Sequence, residues 1–386
     1  MRLLFVTPFL PDRHAAHGGG AYLGALMTAL RPLASIGLCA LTDPEAPEPQ
    51  PPHAWDWLAA VPHVGHAGGI GSRLQRLWRW RCLPLVAAKA WAPGMVAAIA
   101  RAKSEFRPDV AFVEMAQMAQ YLPYLRSTPT VLTDHEAGCP ANIHTGLGGW
   151  GDRRDRALWA KFIRTRFPQA TTLQAVTRED AETLGTLVHR QVLVRPPAID
   201  LPSHPVAPGQ TPPRALFLGD YRHAPNPEAA RRLVSEVFPI LRAAIANVEL
   251  WLAGPNEEPI RALEQTPGVR VLGFQPQLNQ VFGQVRLLLA PLWSGSGFRV
   301  KTMTALAHGL PVVTNRLGSR GCSAPPPAMT TAETPEGIAA QAITLLQSSA
   351  LAQAAGRAAY EWAGANLSAE AVARQQLAYA QTLSCG

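Results

Sequence analysis

One segment of the sequence, Ala290–Val313, combines small residues and cations in an order that could bind an anion. An apolar run is followed by a loop that contains Gly295 and Gly297. A helical pattern comes next and carries Arg299 and Lys301 near its start. Glycines let backbone amides approach a ligand, and a helix N-terminus presents unsatisfied N–H groups to negative charge. Cations at this end of a helix oppose the helix dipole, so their presence suits a site that binds a diphosphate. The alternative is that Arg299 and Lys301 only face solvent.

A second group of polar residues follows two apolar runs of the first half. Asp134, His135 and Glu136 come after one run, and Glu114 ends another. Open α/β sheets bind ligands at the carboxyl ends of their strands, so these residues are candidates for a site. His135 could hydrogen-bond a substrate or move a proton, and the alternative is a structural histidine bonded to a backbone carbonyl. Glu114 is equally compatible with a base and with a capped turn.

The apolar pattern of the first half predicts parallel strands that alternate with helices. The predicted strands are Leu3–Thr7, Ile36–Thr42, Val110–Glu114, Thr130–Asp134 and Thr172–Val176. A long loop ends in Gly18–Gly20, and helical spacing of apolar residues follows it. Continuous apolar strands are typical of a sheet covered on both faces, so the alternation predicts a doubly wound α/β domain.

A second alternation of strands and helices follows a proline-rich stretch. Its predicted strands are Ala215–Gly219, Val248–Gly254, Val269–Gly273 and Leu287–Pro291, and its predicted helices are Pro227–Ala246 and Phe298–His308. We therefore divide the chain into a first Rossmann-like domain at 1–200, a linker at 201–213, a second domain at 214–365 and a C-terminal helix at 366–386. We expect the C-terminal helix to pack back on the first domain.

The composition limits the class of protein. The chain has 386 residues, 47% of them hydrophobic, so it can form sizeable cores and is not a disordered chain. A net charge of +8 and a pI near 9.6 favour anionic partners. The five cysteines form no CxxC pair, which indicates neither a disulfide scaffold nor a zinc site. No apolar run reaches the length of a membrane span, and the short run before Pro8 is interpreted as a strand, so we expect a cytoplasmic protein.

The second half resembles the nucleotide-sugar domain of retaining GT-B glycosyltransferases of the family 4, or group 1, type. The matching segments come in the order of the family: Leu216–Asp220 with Pro225–Pro227, Leu250–Gly254, Gly268–Phe274 and Ser294–Val313. Weaker matches lie in the first half: Gly18–Gly20, Thr133–Glu136, Ala175–Asp180 and Val194–Asp200. The resemblance extends over nearly the whole chain. It is specific because the matching segments occur in the same order as in the family.

This resemblance implies an α/β fold of two Rossmann-like, doubly wound domains (GT-B) with the donor site in the cleft between them. It implies a retaining hexosyltransferase that uses a nucleoside-diphosphate sugar and an acceptor still to be identified. It also implies front-face attack, in which the leaving phosphate takes the acceptor proton. The chain has no Asp-x-Asp motif, so we expect no metal and no other cofactor.

The resemblance also assigns roles to single residues. Arg299 and Lys301 would neutralise the departing diphosphate, and His135 would face the transferred sugar, so these three are the candidate catalytic residues. Residues implied to bind the donor nucleotide and sugar are Gly19, Gly20, Gly219, Asp220, Arg222, Asn226, Gly254, Phe274, Ser296, Gly297, Phe298 and Thr304. Candidates on the acceptor side are Glu114, Asp134 and Glu136.

Two positions depart from the pattern of the family. The family usually has two glutamates eight positions apart around this loop, and Ser296 and Thr304 occupy those positions here. The change at Ser296 resembles a known branch with a glycine-rich loop. Thr304 can still hydrogen-bond a hydroxyl, but without charge assistance, so we expect a weaker contact. A degenerate GT-B binding protein without turnover is therefore one alternative.

An NAD(P)-dependent oxidoreductase is another alternative. Gly18–Gly20 precede a helical pattern, and Asp43 follows the second predicted strand, as in a dinucleotide-binding unit. Gly18 lies ten positions after Pro8, however, which is too far for the tight turn of that motif.

The segment Arg73–Arg81 mixes arginine with tryptophan, and Arg153–Arg166 adds further basic residues. This composition suits an element that binds an anionic membrane surface, at the inner face of the membrane, near a lipid-linked acceptor. A solvated helix whose apolar residues face the core is the alternative. Basic and aromatic residues together also suit nucleic acid, but no nucleic-acid-binding motif supports that interpretation.

Overall fold

The computed structural model describes residues 1–12, 18–42, 55–63, 70–135, 145, 148–295 and 298–384. The chain divides into two compact units. Unit 1 consists of Met1–Ala198 together with Val372–Gly386, and unit 2 consists of Ile199–Ala371. Each unit contains one sheet whose strands pair in parallel, with helices in the connections.

Unit 1 contains a seven-stranded sheet in the order β3-β2-β1-β4-β5-β6-β7. Its strands are β1 Arg2–Thr7, β2 Ser35–Thr42, β3 Trp57–Pro62, β4 Val110–Glu114, β5 Thr130–Asp134, β6 Thr172–Ala175 and β7 Val192–Val194. The strand order reverses direction between β1 and β4, which is where open α/β sheets bind ligands. β3 and β7 form the two edges, and the sequence pattern did not predict either of them.

The connections of unit 1 are helical. Its helices are α1 Gly18–Leu30, α2 Ile70–Arg79, α3 Leu85–Lys89, α4 Pro93–Arg101, α5 Gly148–Arg166 and α6 Arg178–Val188. Gly19 and Gly20 lie in the first turn of α1, so the expectation that they end a loop is wrong. α4 continues into a π-helical turn, Ala102–Phe106, and a left-handed residue, Arg107, ends it.

Unit 2 contains a six-stranded sheet in the order β10-β9-β8-β11-β12-β13. Its strands are β8 Arg214–Leu218, β9 Glu249–Ala253, β10 Val269–Gly273, β11 Leu287–Leu289, β12 Val312–Thr314 and β13 Met329–Thr331. Successive residues of β8 point to opposite faces: Ala215 and Phe217 enter one core cluster, and Leu216 and Leu218 enter the other. Burial on both faces explains why this strand is continuously apolar.

The helices of unit 2 are α7 Pro225–Arg232, α8 Phe238–Ala244, α9 Leu278–Phe282, α10 Val300–Ala307, α11 Pro335–Gln347 and α12 Ser349–Asn366. A π-helical turn, Leu233–Val237, joins α7 to α8, so the single helix predicted at Pro227–Ala246 is a composite of three segments. α10 begins two residues later than predicted, at Val300.

The proline-rich stretch 201–213 packs on unit 2. The Val206 amide donates to the carbonyl of His308, at 2.8 Å. The Gly209 amide donates to the Gln353 side chain, at 3.2 Å, and Pro208 is buried. Prolines restrict the chain in the unfolded state, so such a stretch can be held with a small loss of entropy.

The last helix, α13 Ala369–Ser384, belongs mostly to unit 1. The hydroxyls of Tyr379 and Thr172 lie 2.6 Å apart, and the Gln174 amide donates to the Gln376 side chain at 3.2 Å. Both contacts join α13 to β6, so a helix that follows unit 2 in the sequence packs on the sheet of unit 1.

Two glycine turns approach each other closely at the ends of β8 and β9. Gly254 has a φ of +133°, and a Cβ at this position would lie 1.9 Å from the carbonyl oxygen of Gly219. We expect Gly254→Ala to lower the free energy of unfolding by about 2–4 kcal/mol, measured by urea titration of tryptophan fluorescence.

Gly71→Ala is the matched control for this substitution, because a Cβ on this residue of α2 would have no atom within 4 Å. We expect it to change the free energy of unfolding by about 1 kcal/mol or less, towards greater stability. Equal unfolding midpoints for Gly254→Ala and the parent protein would contradict the close approach of the two turns.

Candidate active site

The loop after β11 is held in place by the residue that follows β12. The Asn315 side chain accepts from the Leu292 amide, at 3.1 Å, and donates to the Leu292 carbonyl, at 2.7 Å. The Thr314 hydroxyl donates to the Ala290 carbonyl, at 2.8 Å. These bonds satisfy buried polar groups of the loop and fix the direction in which it leaves the sheet.

Arg299 lies between this loop and α10 and is 6% exposed. Its Nε donates to the Leu317 carbonyl, at 3.0 Å, and its Nη2 donates to the Gly295 carbonyl, at 3.2 Å. Its backbone is not helical, so Arg299 precedes α10, and the expectation that it lies in the first turn is wrong. The guanidinium therefore supports the loop as well as supplying positive charge.

Lys301 lies in the first turn of α10. Its Nζ donates to Oδ1 of Asn226, at 2.8 Å, and lies 4.1 Å from the ring centroid of Phe217. Burial, with a further contribution from the charge of Arg299, lowers the pKa of Lys301 to about 7. A bound anion would favour the charged ammonium, so this site can gain attraction as a phosphate enters.

A second turn of unit 2, between β8 and α7, holds the partner of Lys301. The Asn226 Nδ2 donates to the carbonyl of Asp220, at 2.8 Å, which leaves its Oδ1 directed at Lys301. A Cβ on Gly219 would lie 2.7 Å from the Asn226 side chain, so only glycine fits there. The structure thus brings together four predicted donor-site residues.

Asp220 forms a compact ion pair at the same turn. The Nη2 of Arg222 donates to its Oδ2, at 2.8 Å, and the Asn256 Nδ2 donates to its Oδ1, at 2.9 Å. The hydrogen bond from Arg222 is the main cause that lowers the pKa of Asp220 to about 2. Arg222 is largely exposed, so this pair contributes little to stability and is accessible to a ligand.

The other predicted residues of unit 2 lie around these turns. Phe274 follows β10 and is 67% exposed. Phe298 is partly buried against the core, and the Thr304 carbonyl contacts Nδ1 of His308 at 2.7 Å. Ser296 and Gly297 lie outside the described residues.

In unit 1 the predicted residues lie at the carboxyl end of the sheet. Glu114 ends β4 and is fully buried, and Asp134 ends β5 and is also buried. His135 follows β5, and its Nε2 lies 3.3 Å from Oε2 of Glu114. Glu136 is outside the described residues. Glu114 and His135, predicted separately, are therefore in contact.

Two neighbours of His135 were missed by the sequence analysis. The Tyr22 hydroxyl, on α1, lies 2.6 Å from Nε2 of His135. The Nη2 of Arg195, which follows β7, donates to Oε2 of Glu114 at 2.8 Å. Arg195 lies within the segment Val194–Asp200 that was quoted for the resemblance, and its position after a strand was the available signal. No sequence pattern indicated Tyr22.

Solved structures with a similar fold cover the chain at low identity. Sucrose-phosphate synthase from Thermosynechococcus elongatus has a TM-score of 0.68 at 17% identity, with 100% of both chains covered. HepE from Anabaena, in complex with UDP and glucose, has a TM-score of 0.61 at 14% identity, again with 100% of both chains covered. A glycosyltransferase from Rickettsia africae ESF-5 has a TM-score of 0.63 at 12% identity and covers 99% of this chain and 98% of its own. The predicted fold class, two Rossmann-like domains of the GT-B type, is confirmed.

The second half also matches a protein family. Residues 212–348 match the family model described as Glycosyl transferases group 1. The match confirms the resemblance stated from the sequence, apart from the retaining mechanism, which stays a prediction. A comparison with curated protein sequences finds no match.

The described part of the chain contains neither a candidate metal site nor a membrane-spanning helix. Among its residues, no group of three or more His, Cys, Asp or Glu side chains could hold a metal ion. Its helices include none with the length and apolar character needed to cross a membrane.

The lowered pKa of Lys301 makes stability depend on pH. The unfolded chain binds a proton at this group up to about pH 10.5, and the folded chain loses it near pH 7. Folding therefore becomes more favourable as the pH rises between these values. Relative to Lys301→Met, the parent protein should gain up to about 1.4 kcal/mol of unfolding free energy per pH unit, measured by urea titrations from pH 6 to 9.5.

The control for the pH series is Lys103→Met, at a lysine of unit 1 that bonds a backbone carbonyl. Its unfolding free energy should follow that of the parent protein at every pH. Parallel curves for the parent protein and Lys301→Met would show that Lys301 is charged in the folded state over the whole range.

Proposed function

We propose that the chain is a retaining, metal-independent glycosyltransferase that moves a sugar from a nucleoside-diphosphate donor to an acceptor hydroxyl. The observation that carries the proposal is the buried ammonium of Lys301, held by Asn226 at 2.8 Å beside Arg299. Both cations lie at the start of α10, next to a glycine-containing loop. A buried, only partly compensated positive site of this kind is suited to an anion.

The reaction requires this site to stabilise negative charge on the leaving diphosphate. The bond between the anomeric carbon and the diphosphate oxygen breaks, and negative charge develops on the leaving group. Lys301 would carry a full positive charge once the diphosphate is bound, and fixed positive charge stabilises the transition state most in a water-poor site. Two cations in these positions can neutralise the leaving group without a metal ion, which is why we propose metal independence.

The proposal of retention rests on the resemblance to family 4 transferases. In front-face attack, the acceptor oxygen bonds to the anomeric carbon on the side from which the diphosphate leaves. The departing phosphate oxygen takes the acceptor proton, so no enzymic nucleophile is required. We assign His135 to the transferred sugar or the acceptor proton, and Glu114 and Asp134 to the acceptor side.

The nature of the donor base is inferred from a structural neighbour. The Anabaena HepE structure holds UDP and glucose, which favours a uridine nucleotide as the first donor to test. The exposed ring of Phe274, after β10, is our candidate contact for the base.

A thermal-shift panel with UDP, GDP, ADP, TDP, their common sugars, NAD and NADP tests the donor. A ligand at about 100 times its dissociation constant stabilises the fold by about 2.7 kcal/mol. A shift with one nucleoside diphosphate supports the proposal, and a shift with NAD alone supports the oxidoreductase alternative. Binding without turnover on a panel of acceptors supports the degenerate binding protein. The anomeric configuration of the product, followed by NMR with and without EDTA, tests retention and metal independence.

Lys301→Met should lower the turnover of the identified donor by about 10²- to 10³-fold, because it removes one charge that stabilises the leaving group. Initial rates at saturating donor measure this effect. Lys103→Met should retain the parent rate. If Lys301→Met also retained the parent rate, the assignment of the diphosphate to this site would be wrong.

We further propose that unit 1 binds an anionic membrane surface through a face that we call the α2 face. It comprises the exposed residues of α2 and the chain that follows, with Leu74 61% and Trp78 70% exposed. Exposed apolar side chains next to arginines are typical of helices that lie in a membrane interface.

The chain that follows α2 is hydrogen-bonded to α5. Trp80 donates from its ring nitrogen to the buried carboxylate of Asp155, at 2.8 Å, and the Leu85 amide donates to the same oxygen, at 2.7 Å. The guanidinium of Arg154 lies 5.1 Å from the Trp80 ring. α5 is thereby joined to the chain after α2.

Beside α2 lies a groove of about 860 Å³, and aromatic and basic side chains share its lining. They include Trp78, Arg79, Arg81, Trp91, Lys161 and Arg166. An anionic lipid headgroup with the start of its acyl chain matches this combination of charge and apolar surface.

The variant Trp78→Ala/Arg81→Glu should bind vesicles of phosphatidylglycerol and phosphatidylethanolamine about tenfold more weakly in co-sedimentation, since it removes apolar area and reverses one charge. Leu351→Ala, at a half-exposed leucine of unit 2, is the control. The parent protein should detach as the salt concentration rises. Equal binding to uncharged phosphatidylcholine vesicles would contradict the proposal.

A further inference from the structure

A buried ion pair lies directly beneath His135. Glu114 is 0% exposed and Arg195 is 1% exposed, and they meet at 2.8 Å through Nη2 and Oε2. In the order of the sheet, β5 and β6 lie between the strands that carry these residues. Arg195 follows β7, and its amide donates to the Ala175 carbonyl at the end of β6, at 2.8 Å, so the two side chains meet at the carboxyl end of the sheet.

Several donors converge on the carboxylate of Glu114. His135 approaches Oε2 with its Nε2, at 3.3 Å, and the Tyr22 hydroxyl lies 3.5 Å from the same oxygen. The Thr133 hydroxyl donates to Oε1, at 3.4 Å. The guanidinium of Arg195 also lies 5.9 Å from the Tyr22 ring, so the ion pair and the aromatic ring pack as one group.

The charge state of Glu114 determines what it can do for His135. Burial alone would raise the pKa of Glu114, but the charge of Arg195 and the hydrogen bond of His135 hold it below its usual value. An ionised carboxylate is only an acceptor. A hydrogen on Nε2 of His135 makes the 3.3 Å contact with this carboxylate favourable, and the Tyr22 hydroxyl, 2.6 Å from Nε2, can accept the same hydrogen. In the neutral ring with this hydrogen, Nδ1 carries none and lies 3.2 Å from the Tyr22 hydroxyl.

Two features of this group reduce stability. Met115, directly after Glu114, has a φ of +74°, a conformation that residues with a bulky side chain rarely adopt. Within the described chain, Nε and Nη1 of Arg195 are buried without a hydrogen-bond partner. Buried ion pairs are seldom more stable than apolar residues of the same size, so stability does not explain why this one is present.

We propose that Glu114 and Arg195 are positioning residues that hold His135 in the Nε2–H tautomer and leave its Nδ1 without a hydrogen. Arg195 keeps Glu114 ionised, and Glu114 fixes the proton on Nε2. This inference rests on the proposed function, in which His135 faces the transferred sugar or the acceptor. Glu114 is 0% exposed, so in this scheme it serves the acceptor side through His135, and neither positioning residue touches the substrate.

The test reads the tautomer of His135 in the full-length protein. Long-range ¹H–¹⁵N NMR spectra of ¹⁵N-histidine-labelled protein distinguish the two ring nitrogens, and His135→Gln assigns the signals. We expect a single Nε2–H tautomer in the parent protein and a mixture in Glu114→Gln, which has the same shape without the charge. Glu105→Gln, in the surface pair with Arg101, is the control and should leave the tautomer unchanged.

Activity provides the second readout. Glu114→Gln should lower kcat by about 10- to 100-fold, as loss of a residue that orients a functional histidine does, with the donor KM within about twofold of the parent value. The tautomer can be measured whether or not any sugar is transferred, so failure of the proposed function would not obscure the result.

The double variant Glu114→Gln/Arg195→Met separates positioning from stability. It removes both charges at similar volume, so it should fold with a higher Tm than Arg195→Met, which leaves a buried carboxylate alone. We expect it to show the mixed tautomer and the low kcat. If it regains parent activity, or if the parent protein shows the Nδ1–H tautomer, the proposal is wrong. Should Glu114→Gln fail to fold, the double variant decides.

Discussion

The removal of the Lys301 ammonium from water is the constraint on which the candidate donor site depends. An ammonium loses hydration when it is buried, and the structure offsets this loss with one amide oxygen and one aromatic face. The amide of Asn226 can serve only because its nitrogen is occupied by the Asp220 carbonyl. Gly219 leaves the space that this amide needs. The geometry of the turn between β8 and α7 therefore serves to hold the Lys301 ammonium, which has no carboxylate partner among the contacts described.

Unit 1 also buries a charged side chain, and here the charge is negative. Its central buried charge is a carboxylate, Glu114, and the compensating arginine comes from a distant strand. In both units the charged side chain lies at the carboxyl end of a parallel sheet, where backbone turns supply space and direction. The core strands behind these ends are almost wholly apolar. β8 contacts the Lys301 ammonium through the Phe217 ring, and β4 carries Glu114 as its last residue.

The sequence was sufficient for the features that depend on local pattern. Continuous apolar runs predicted the central strands, and the order of small motifs predicted the fold and the glycosyltransferase family whose model matches residues 212–348. β3, β7 and β13 were missed because they are edge strands, whose residues are less buried and whose apolar pattern is weaker. The start of α10 was misplaced because Arg299 satisfies two loop carbonyls instead of entering the helix.

Contacts between residues that are far apart in the chain could not be predicted from the sequence. Tyr22, Glu114 and Arg195 are far apart in the chain, and their meeting depends on the order of strands in the sheet. The arginine-rich composition also hid Arg195, because one more arginine in such a chain carries little information. The roles assigned to the donor and acceptor residues remain predictions. They depend on contacts with ligands, and the sequence pattern contains information only about the chain itself.

The path of the chain between the units has a consequence for biosynthesis. Unit 2 is an insertion within unit 1, and the two connections are joined to each other: the Ile199 amide donates to the Leu367 carbonyl, at 2.8 Å, and the Ala369 amide donates to the Ile199 carbonyl, at 3.1 Å. Domains usually fold in the order in which they leave the ribosome. Here unit 1 lacks α13 until the whole of unit 2 has been synthesised. Unit 1 is thus completed after unit 2, and β6 lacks its contacts with α13 while unit 2 is being made.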